Sequence, residues 1–454
     1  MRSLSAHAFR RLIVVSTTII ACGCGDSNPT PTVVGPQVYT YWDQNEEQDA
    51  LTPSGQLAQL VPPWDPNGQM CILRDGSGRF VTGYNPTLPG QHNPGSVKPL
   101  KNPPVGLAVW DRNGNFTGQT IYVPGSYALP GSTIGADLPP DANGTYNSNG
   151  SFTGCAVDSR GHIFGADIGQ AQGSSASPDQ GRIIEWFPPD YRSFCIIVGP
   201  TTGGVGPHHV NGTGGLRNPG LMAVDPQDNL YVPESGNTRV IRFDHSVIPS
   251  VPADCGADGL LSPPARFTVF IRAGAGVPAG IARDPTCSTS TTNCWAVTNI
   301  LSGTPLGGGS AISWFDDAGH LTTVKGPIPS GSYTPFGIAV SPTGDVFFVD
   351  IALICGTSGC GTVDGQGGVF RVTFTGGQPS TPERVAGGMS FPTGVTVCDA
   401  STQVCPIPRP VAATPTPCGA CPPTPTPSCG QTGDSCTIGE ECCSGQCVFH
   451  NQCQ

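Results

Sequence analysis

The amino-acid sequence predicts an all-β protein, and three observations support that fold class. Short apolar runs alternate with turn clusters of Gly, Pro, Asn and Asp, as in Pro219–Asp244, which contains three predicted strands. This arrangement recurs along the chain, and no long segment shows helical periodicity. Gly contributes 63 and Pro 48 of the 454 residues, while 12% are charged. That composition is typical of a turn-rich β-protein.

The first hairpin of Pro219–Asp244 is repeated along the chain. Each copy has an apolar strand, a turn cluster and a second apolar strand, and the further copies are Cys71–Asn85, Gly154–Asp167, Pro278–Asn299, Pro335–Asp350 and Pro392–Pro406. Second hairpins are predicted at Val105–Val123, Arg182–Val198, Ala311–Val324 and Val369–Val385. A sheet of this size cannot bury both faces alone, so the repeats must stack on one another.

The repeated pattern P-x-G-apolar-x-V-D…G-x-apolar-Y-V resembles the NHL repeat, and more broadly the six-bladed TolB-like propeller group. The resemblance covers residues 38–406 and is clearest at Pro219–Asp244 and Pro335–Asp350. It implies a β-propeller, in which small antiparallel sheets, the blades, surround a central channel. The alternative is a different stack of β-hairpins.

The two ends of the repeat region predict how the propeller closes. The last first hairpin, Pro392–Pro406, runs into Pro-rich sequence instead of a second hairpin, whereas the N-terminal region carries Val38–Asp43 and Gly55–Val61. We infer that this N-terminal pair completes the last blade, because such closure removes open sheet edges. Five complete blades and one shared blade make a six-bladed β-propeller closed by N-terminal strands.

Residues 1–22 are predicted to be a lipoprotein signal peptide. A basic start with three Arg residues precedes Leu12–Ala21, an apolar segment about half as long as a bilayer span. The segment Ile19–Cys22 resembles a bacterial lipobox, which implies diacylation of the Cys22 thiol and cleavage before it. The alternative is an ordinary secretory signal peptide. Both predict export, and the lipobox predicts a bacterial membrane lipoprotein that faces the periplasm or the cell exterior.

Pro-rich segments divide the remaining sequence. Residues 23–36 form a Pro/Thr linker, residues 37–410 the propeller, residues 411–428 a second Pro/Thr-rich linker and residues 429–454 a small module. The module's cysteine spacing, C-x6-C-x5-C-C-x3-C-x5-C, resembles an inhibitor cystine knot. So short a chain needs disulfides to hold a fold. The resemblance implies the pairs Cys429–Cys442, Cys436–Cys447 and Cys443–Cys453.

Cysteine usage in the propeller region predicts an oxidising compartment. Two pairs with the same spacing flank hairpin turns, and a third pair can close a short loop: Cys287 with Cys294, Cys398 with Cys405, and Cys355 with Cys360. Cys195 and Cys255 are candidates for a link between neighbouring blades. The sequence does not assign a partner to Cys24, Cys71, Cys155, Cys418 or Cys421.

Loop lengths distinguish the two faces of the predicted propeller. Turns inside hairpins lie on one face, the tight-turn face, where Asp244–Ala265 alone is long. Connections between hairpins and between blades lie on the other, the loop-rich face. Its long loops are Asn85–Pro104, Pro124–Thr153, Asp167–Gly181, Gly199–Asn218, Asn299–Gly309 and Ile351–Gly368. Long loops at one end of a rigid scaffold predict a binding face.

Candidate ligand-binding residues follow from this arrangement. Most first hairpins end in a polar residue that is predicted to point toward the loop-rich face: Asn85, Asp167, Glu234, Asn299 and Asp350. The alternative is that these side chains hydrogen-bond the backbone of the loop that they start. His208 and His209 are candidates for metal binding or acid/base catalysis on the same face; the alternative is two polar loop residues. Asp158 and Asp225 are expected to be structural, because they lie at tight turns.

Two enzymatic mechanisms can be compared with the sequence. Gluconolactonase-like propellers, which this fold resembles, hold a divalent metal with carboxylate and carboxamide ligands just before the blade-opening glycines. Those positions here are Thr153, Pro219, Ala279, Phe336 and Thr393, which cannot replace such ligands around a hard cation. Propeller lyases of the streptogramin and amidating types use His near the channel. Beyond His208 and His209, no further His lies in the matching blade positions of this sequence. The sequence therefore predicts no catalytic residue, no metal and no cofactor.

Net charge and loop composition indicate which classes of ligand the protein can bind. The net charge of −11 argues against nucleic-acid binding. The loops are rich in Gly, Ser, Thr and Asn, which suits a neutral ligand. The sequence predicts a lipid-anchored cell-surface propeller that binds a glycan or protein ligand and attaches to the membrane through its lipid. The alternative is a hydrolase or lyase, lactonase-like or streptogramin-lyase-like, that acts on the loop-rich face.

Overall fold

The computed structural model describes residues 37–42, 47–51, 56–61, 66–84, 106–122, 152–167, 181–199, 216–257, 259–304, 308–331, 333–356, 359–408, 447–448 and 452–453. All of them belong to the compact unit Pro36–Gln454. The predicted signal peptide with Cys22, both linkers and most of the predicted cystine-knot module lie outside the described residues. Within these ranges, no helix is long and apolar enough to cross a membrane.

The first half of the propeller consists of the N-terminal strands and three blades. The chain begins with β1 (Gln37–Trp42), β2 (Glu47–Leu51) and β3 (Leu57–Val61). Blade 1 contains β4 (Pro66–Ile72), β5 (Phe80–Tyr84), β6 (Gly106–Trp110) and β7 (Phe116–Tyr122). Blade 2 contains β8 (Phe152–Val157), β9 (Ile163–Asp167), β10 (Arg182–Trp186) and β11 (Phe194–Val198). Blade 3 contains β12 (Ala223–Val224), β13 (Leu230–Glu234), β14 (Arg239–Phe243) and β15 (Phe267–Ile271), with 3-10 turns at Ser235–Asn237, His245–Val247 and Pro252–Asp254.

The second half completes the ring. Blade 4 contains β16 (Pro278–Arg283), β17 (Trp295–Asn299) and β18 (Ile312–Phe315). Blade 5 begins with β19 (Pro335–Val340) and β20 (Val346–Asp350), followed by a hairpin of β21 (Leu353–Gly356) and β22 (Gly359–Thr362). It continues with β23 (Gly367–Val372), the small hairpin β24 (Phe374–Thr375) and β25 (Gln378–Pro379), and β26 (Glu383–Met389). Then come β27 (Pro392–Cys398) and, far along the chain, the paired strands β28 (Cys447–Val448) and β29 (Gln452–Cys453).

The strands assemble into the predicted six-bladed propeller. Within each blade, neighbouring strands pair antiparallel from the channel outward, in the orders β4-β5-β6-β7, β8-β9-β10-β11, β12-β13-β14-β15, β16-β17-β18 and β19-β20-β23-β26, with β27-β1-β2-β3 as blade 6. The innermost strands contact one another in the cycle β4, β8, β12, β16, β19, β27 and back to β4. The all-β, six-bladed fold predicted from the repeats is confirmed.

Blade 6 closes the ring by pairing the two ends of the propeller region. Val38 of β1 lies opposite Val397 of β27, and Thr40 lies opposite Val395, as predicted. The division of the blade differs from the prediction: Pro392–Pro406 contributes one strand, and the N-terminal segment contributes three. The additional strand β2 has the sequence EQDAL, whose polar residues hide it from a search for apolar alternation.

Blade 4 departs from the predicted second hairpin at Ala311–Val324. Only β18 forms there within the described residues, and beyond it Phe315 and Leu321 make an isolated bridge. A second isolated bridge joins Ile312 to Ile328. Between the two bridges Lys325 is buried, with its ammonium 2.6 Å from Asp284 Oδ2 and 4.5 Å from the centre of the Phe374 ring. The outer segment of blade 4 is therefore irregular around Lys325, whose buried charge is paired with the Asp284 carboxylate.

The core lies between the blades rather than inside any one of them. Strands such as β13 and β20 are buried along their whole length, because each sheet packs neighbouring blades on both faces. Four of the largest fully buried side chains are Trp110, Trp186, Trp295 and Trp314. Where inner strands meet, a side chain does not fit: a Cβ on Gly220 of blade 3 would lie 2.1 Å from the carbonyl oxygen of Ala279 in blade 4.

Five disulfides lie within the described residues. Cys287–Cys294, Cys398–Cys405 and Cys355–Cys360 are bonded at the positions where the sequence predicts staples. Cys195–Cys255 joins blades 2 and 3, and Cys71–Cys155, which the sequence does not assign, joins the inner strands of blades 1 and 2. These bonds indicate folding in an oxidising compartment. In the C-terminal module, Cys447 lies opposite Cys453 in the β28–β29 pair, and the other four cysteines lie outside the described residues.

Candidate binding cleft on the loop-rich face

The structure places four of the five strand-end candidates at the loop-rich face. Asp167, Glu234, Asn299 and Asp350 are the last residues of β9, β13, β17 and β20, and all four are buried. Asn85 lies outside the described residues, as do His208 and His209. Because all four side chains are buried, their hydrogen-bond partners determine whether they have a structural role or can bind a ligand.

Two of these residues neutralise arginines of the same blade. The Asp167 carboxylate lies 2.8 Å from Arg182 Nε, and both side chains are fully buried. Glu234 Oε2 lies 2.5 Å from Arg239 Nε, while Glu234 Oε1 accepts a 3.0 Å hydrogen bond from the Arg217 backbone N–H. Buried carboxylates with such partners hold the strand ends in place.

The other two residues bind the backbone that leads into the inner strand. Asn299 Oδ1 accepts from the N–H of Val277, at 3.1 Å, and Asn299 Nδ2 donates to the Gly308 carbonyl oxygen at 2.8 Å. Asp350 Oδ1 accepts from the N–H and the hydroxyl of Thr334, at 3.0 and 2.8 Å, and from the N–H of Ala352 at 3.0 Å.

A proline explains why this pattern recurs. Pro278 lies opposite Asn299 and Pro335 lies opposite Asp350 in the first pair of strands of their blades. Because proline has no N–H to donate across the sheet, the polar side chain instead takes the N–H of the residue before it. The Gly308 and Ala352 bonds lie in the loop that the polar residue starts, as in the structural alternative, whereas the Val277 and Thr334 bonds reach the segment before the inner strand.

One carboxylate oxygen of Asp350 has no hydrogen-bond donor among the described residues. Its three hydrogen bonds all go to Oδ1. Among the described residues nothing donates to Oδ2. This oxygen does not belong to the fully buried polar atoms that lack a partner. Asp350 lines an open cleft of about 550 Å³ on the loop-rich face, between blades 4 and 5. The side chain therefore holds its surroundings through Oδ1 and leaves Oδ2 without a donor among the described residues.

Three chain segments form this cleft, which we call the blade 4/5 cleft. Its lining residues are Gly303, Thr304, Gly331, Asp350, Ala352, Leu353, Ile354, Cys355, Val363 and Gln366. They come from the loop after β17, the segment before β19, and the β21–β22 hairpin with the loop that follows it. The lining contains one carboxylate and no Lys, Arg or His, so its charge is negative.

Hydrogen bonds fix the walls of the cleft relative to each other. The Ser302 hydroxyl donates to the Tyr333 carbonyl oxygen at 2.8 Å, which ties the blade 4 wall to the segment before β19. Thr334 Oγ1, which donates to Asp350, also accepts from the Leu353 N–H at 2.9 Å. Cys355 and Cys360 lie directly opposite each other in the β21–β22 hairpin and are disulfide-bonded. The Asp350 side chain is thus linked through Thr334 to the hairpin wall.

The positions that would hold a lactonase-type metal lie on the inner strands or next to them. The Thr153 hydroxyl donates to the Pro219 carbonyl oxygen at 2.7 Å, so it joins blade 2 to blade 3. Phe336 packs beside Phe391, with ring centres 6.5 Å apart, and Thr393 is buried. Across the described ranges, no three His, Cys, Asp or Glu side chains are grouped closely enough to hold a metal ion.

Tight-turn aspartates have the structural role expected from the sequence. Asp158 Oδ1 accepts from the N–H groups of Arg160 and His162, at 2.9 and 2.8 Å. Asp225 Oδ1 accepts from the N–H groups of Gln227 and Asn229, both at 2.9 Å. These are Asx turns that close the first hairpins of blades 2 and 3.

A buried acid–histidine pair that the sequence did not predict lies on the tight-turn face of blade 2. Glu185 Oε1 lies 2.7 Å from His162 Nδ1, both residues are buried, and Glu185 Oε2 has no hydrogen-bond partner. Burial raises the pKa of Glu185 to about 7, although its hydrogen bond with His162 and the charge of that ring lower it. Glu185 lies on β10 and His162 directly before β9, 23 positions apart, so they share no local motif. The pairing of β9 with β10 brings them together.

Comparison with solved structures finds chains of low sequence identity to this one. A chain of a nidogen/laminin complex gives a TM-score of 0.46 at 11% identity, covering 81% of this chain and 99% of that one. Virginiamycin B lyase from Staphylococcus aureus gives 0.42 at 12% identity, covering 82% and 92%. A gluconolactonase from Xanthomonas campestris gives 0.39 at 12% identity, covering 80% and 88%. Neither a protein-family model nor a curated protein matches the sequence.

Proposed function

We propose that this protein is an exported, lipid-anchored propeller that binds a glycan through its loop-rich face. One observation carries the proposal: the blade 4/5 cleft opens on the face with the long loops and is lined by main-chain groups, small side chains and one carboxylate. Its volume of about 550 Å³ falls within the range of small-molecule pockets, roughly 300–1,000 Å³.

Binding fits the chemistry of this cleft better than catalysis does. Hydrolysis or lyase chemistry needs an acid and a base that act on one substrate. The cleft supplies Asp350 as its one titratable side chain, and the Oδ1 atom of Asp350 already accepts three hydrogen bonds. A hydrolase or lyase remains the competing outcome of the binding experiment described next.

The binding proposal is tested with purified full-length protein on an array of bacterial and host glycans, with turnover of each bound glycan followed by mass spectrometry. We expect saturable binding without chemical change of the ligand. Conversion of a bound glycan to a shorter or unsaturated product would replace the binding function with the enzymatic one. Failure to bind any glycan, together with saturable binding of a protein, would replace the ligand class.

Membrane attachment has its own test. We expect wild-type protein in the membrane fraction and the Cys22→Ser variant in the soluble exported fraction, because the variant lacks the thiol that lipidation requires. An Arg10→Lys variant keeps the basic start and serves as the control. Membrane retention of Cys22→Ser would contradict the lipobox interpretation while leaving the glycan proposal intact.

A further inference from the structure

The blade 4/5 cleft has a definite chemical preference, and this inference rests on the proposed glycan-binding function. Every polar group that lines it is an uncharged donor or acceptor except the Asp350 carboxylate. A phosphate, sulfate or carboxylate ligand would meet a negative cleft without a neutralising cation, which costs binding free energy. The cleft therefore selects against anionic ligands.

The cleft also offers apolar surface beside its acceptor. Leu353, Ile354 and Val363 line it, and Ile354 is 64% exposed. Sugar rings combine hydroxyl donors at the ring edge with C–H groups on the ring face. A wall of aliphatic side chains next to a carboxylate oxygen matches both features of such a ring.

Asp350 Oδ2 is the acceptor in this match. A carboxylate oxygen accepts stronger hydrogen bonds from hydroxyl groups than a neutral oxygen does. The oxygen is held in place without a contribution from ligand, because Oδ1 is fixed by Thr334 and Ala352. Such preorganisation reduces the entropy that is lost when the site becomes ordered on binding. Gln366 supplies an exposed carboxamide to the same lining.

We propose that the blade 4/5 cleft is a binding site for one neutral sugar unit of a glycan, with Asp350 Oδ2 accepting hydrogen bonds from ring hydroxyls and Leu353 and Ile354 contacting the ring face. The site lies in the loops of two neighbouring blades, and its lining residues are distinct from the positions that precede the blade-opening glycines. Asp350 is a specificity-determining residue: it favours neutral hydroxyl-rich ligands and disfavours anionic ones.

The experiment compares variants that keep the fold but change the cleft. Asp350→Asn retains an oxygen for the Thr334 and Ala352 hydrogen bonds and replaces the charged oxygen with an amide. Gln366→Ala removes the carboxamide from an exposed side chain. Glu383→Gln, at an exposed position on β26 of the same blade, makes the same change of charge outside the cleft and is the matched control.

Binding is measured by calorimetry on full-length protein with the methyl glycosides of glucose, galactose, mannose and N-acetylglucosamine, and with glucuronic acid and glucosamine as anionic and cationic probes. We expect at least one neutral glycoside to bind and glucuronic acid to bind at least tenfold more weakly. Asp350→Asn should weaken the neutral glycoside by about tenfold or more, and Gln366→Ala by a few-fold. Glu383→Gln should bind like wild type, with all thermal midpoints unchanged within a few degrees.

The outcomes separate the cleft from the wider function. If the array detects a glycan and both cleft variants bind it as wild type does, the cleft inference is wrong and the proposed function stands. If glucosamine alone binds, the site recognises a cation and the neutral-sugar inference is wrong. If wild-type protein binds no glycan in either experiment, both proposals fail together.

Discussion

Thr40 donates a hydrogen bond from its hydroxyl to the carbonyl oxygen of Gly394, 3.1 Å away and 354 residues further along the chain. Both residues are in blade 6, where the N-terminal strand β1 pairs with the last propeller strand, β27. Nearby, the Tyr39 hydroxyl donates to the Pro406 carbonyl oxygen at 2.7 Å. The ring is therefore held at its seam by side chains as well as by the sheet.

The first prediction concerns this seam. Thr40→Val should lower the free energy of unfolding by about 1–3 kcal/mol, because the Gly394 carbonyl loses a buried donor. Thr268→Val, at an exposed position on the outer strand of blade 3, should change it by less than about 0.5 kcal/mol. Urea unfolding followed by tryptophan fluorescence measures both. Equal effects of the two variants would show that the hydroxyl contributes nothing to closure.

Much of this closure could be predicted from sequence, because hairpin repeats follow local rules. Turn residues and apolar strands identify the hairpins, and the orphan strand at each end identifies the closing blade. The number of strands at the seam could not be predicted. The strand β2 is polar, so apolar alternation does not reveal it. The spacing of Cys398 and Cys405 is the same as that of Cys287 and Cys294, although the Cys398–Cys405 disulfide closes a turn that leads out of the sheet.

Less of the cleft than of the fold could be predicted from the sequence. Sequence predicts the loop-rich face and Asp350 as a candidate, since both follow from the order of strands and turns. It does not predict that one Asp350 oxygen holds Thr334 while the other stays open, because that division depends on the packing of three separate segments. The Asp284–Lys325 ion pair, which lies where the outer segment of blade 4 is irregular, is likewise a contact between distant positions.

The second prediction concerns pH and the buried Glu185. Burial raises its pKa from 4.5 to about 7 in the folded protein. The folded state therefore holds a proton that the unfolded state releases, so the stabilisation from this group is complete below pH 4.5 and is lost as pH rises through about 7. The loss is on the order of 3 kcal/mol.

Glu185→Gln tests this, because glutamine has the same shape and stays neutral. The thermal midpoint of the variant minus that of wild type should rise between pH 4.5 and pH 8. Glu383→Gln, at an exposed position, should give a difference that does not vary with pH. A flat profile for Glu185→Gln would mean that Glu185 ionises without a penalty in the folded protein, contrary to the burial argument.

The third prediction contrasts two disulfides of similar chemistry and different span. Cys71–Cys155 closes 84 residues and joins two blades, whereas Cys355–Cys360 closes 5 residues in an exposed hairpin. Loop-closure entropy makes the longer bridge more stabilising by about 2 kcal/mol. Replacing each pair by alanines should therefore lower the urea midpoint more for Cys71→Ala/Cys155→Ala. The reverse order would indicate that the hairpin supports the blade 4/5 region beyond its own loop.

The last prediction concerns a close contact between blades. Gly114 lies in the turn of the second hairpin of blade 1 with φ of 71°, and a Cβ there would lie 1.8 Å from the Leu60 carbonyl oxygen in blade 6. Gly319 occupies the corresponding turn of blade 4, where a Cβ would lie 1.9 Å from the Phe270 carbonyl oxygen in blade 3. In both places the turn of one blade packs against the backbone of the outermost strand of the preceding blade.

Gly114→Ala should consequently destabilise the protein by several kcal/mol, since backbone cannot move aside as a flexible side chain can. Gly118→Ala is the matched control: Gly118 has φ of 83° in the same blade, but no atom lies within 4 Å of its added Cβ. The free energy of unfolding of the control should fall by only about 1–2 kcal/mol, the cost of the left-handed conformation for a residue with a Cβ. Urea unfolding of Gly114→Ala, Gly319→Ala and Gly118→Ala separates backbone strain from steric overlap. Similar losses in all three would mean that the blades shift apart at little cost, and that the contact does not fix their spacing.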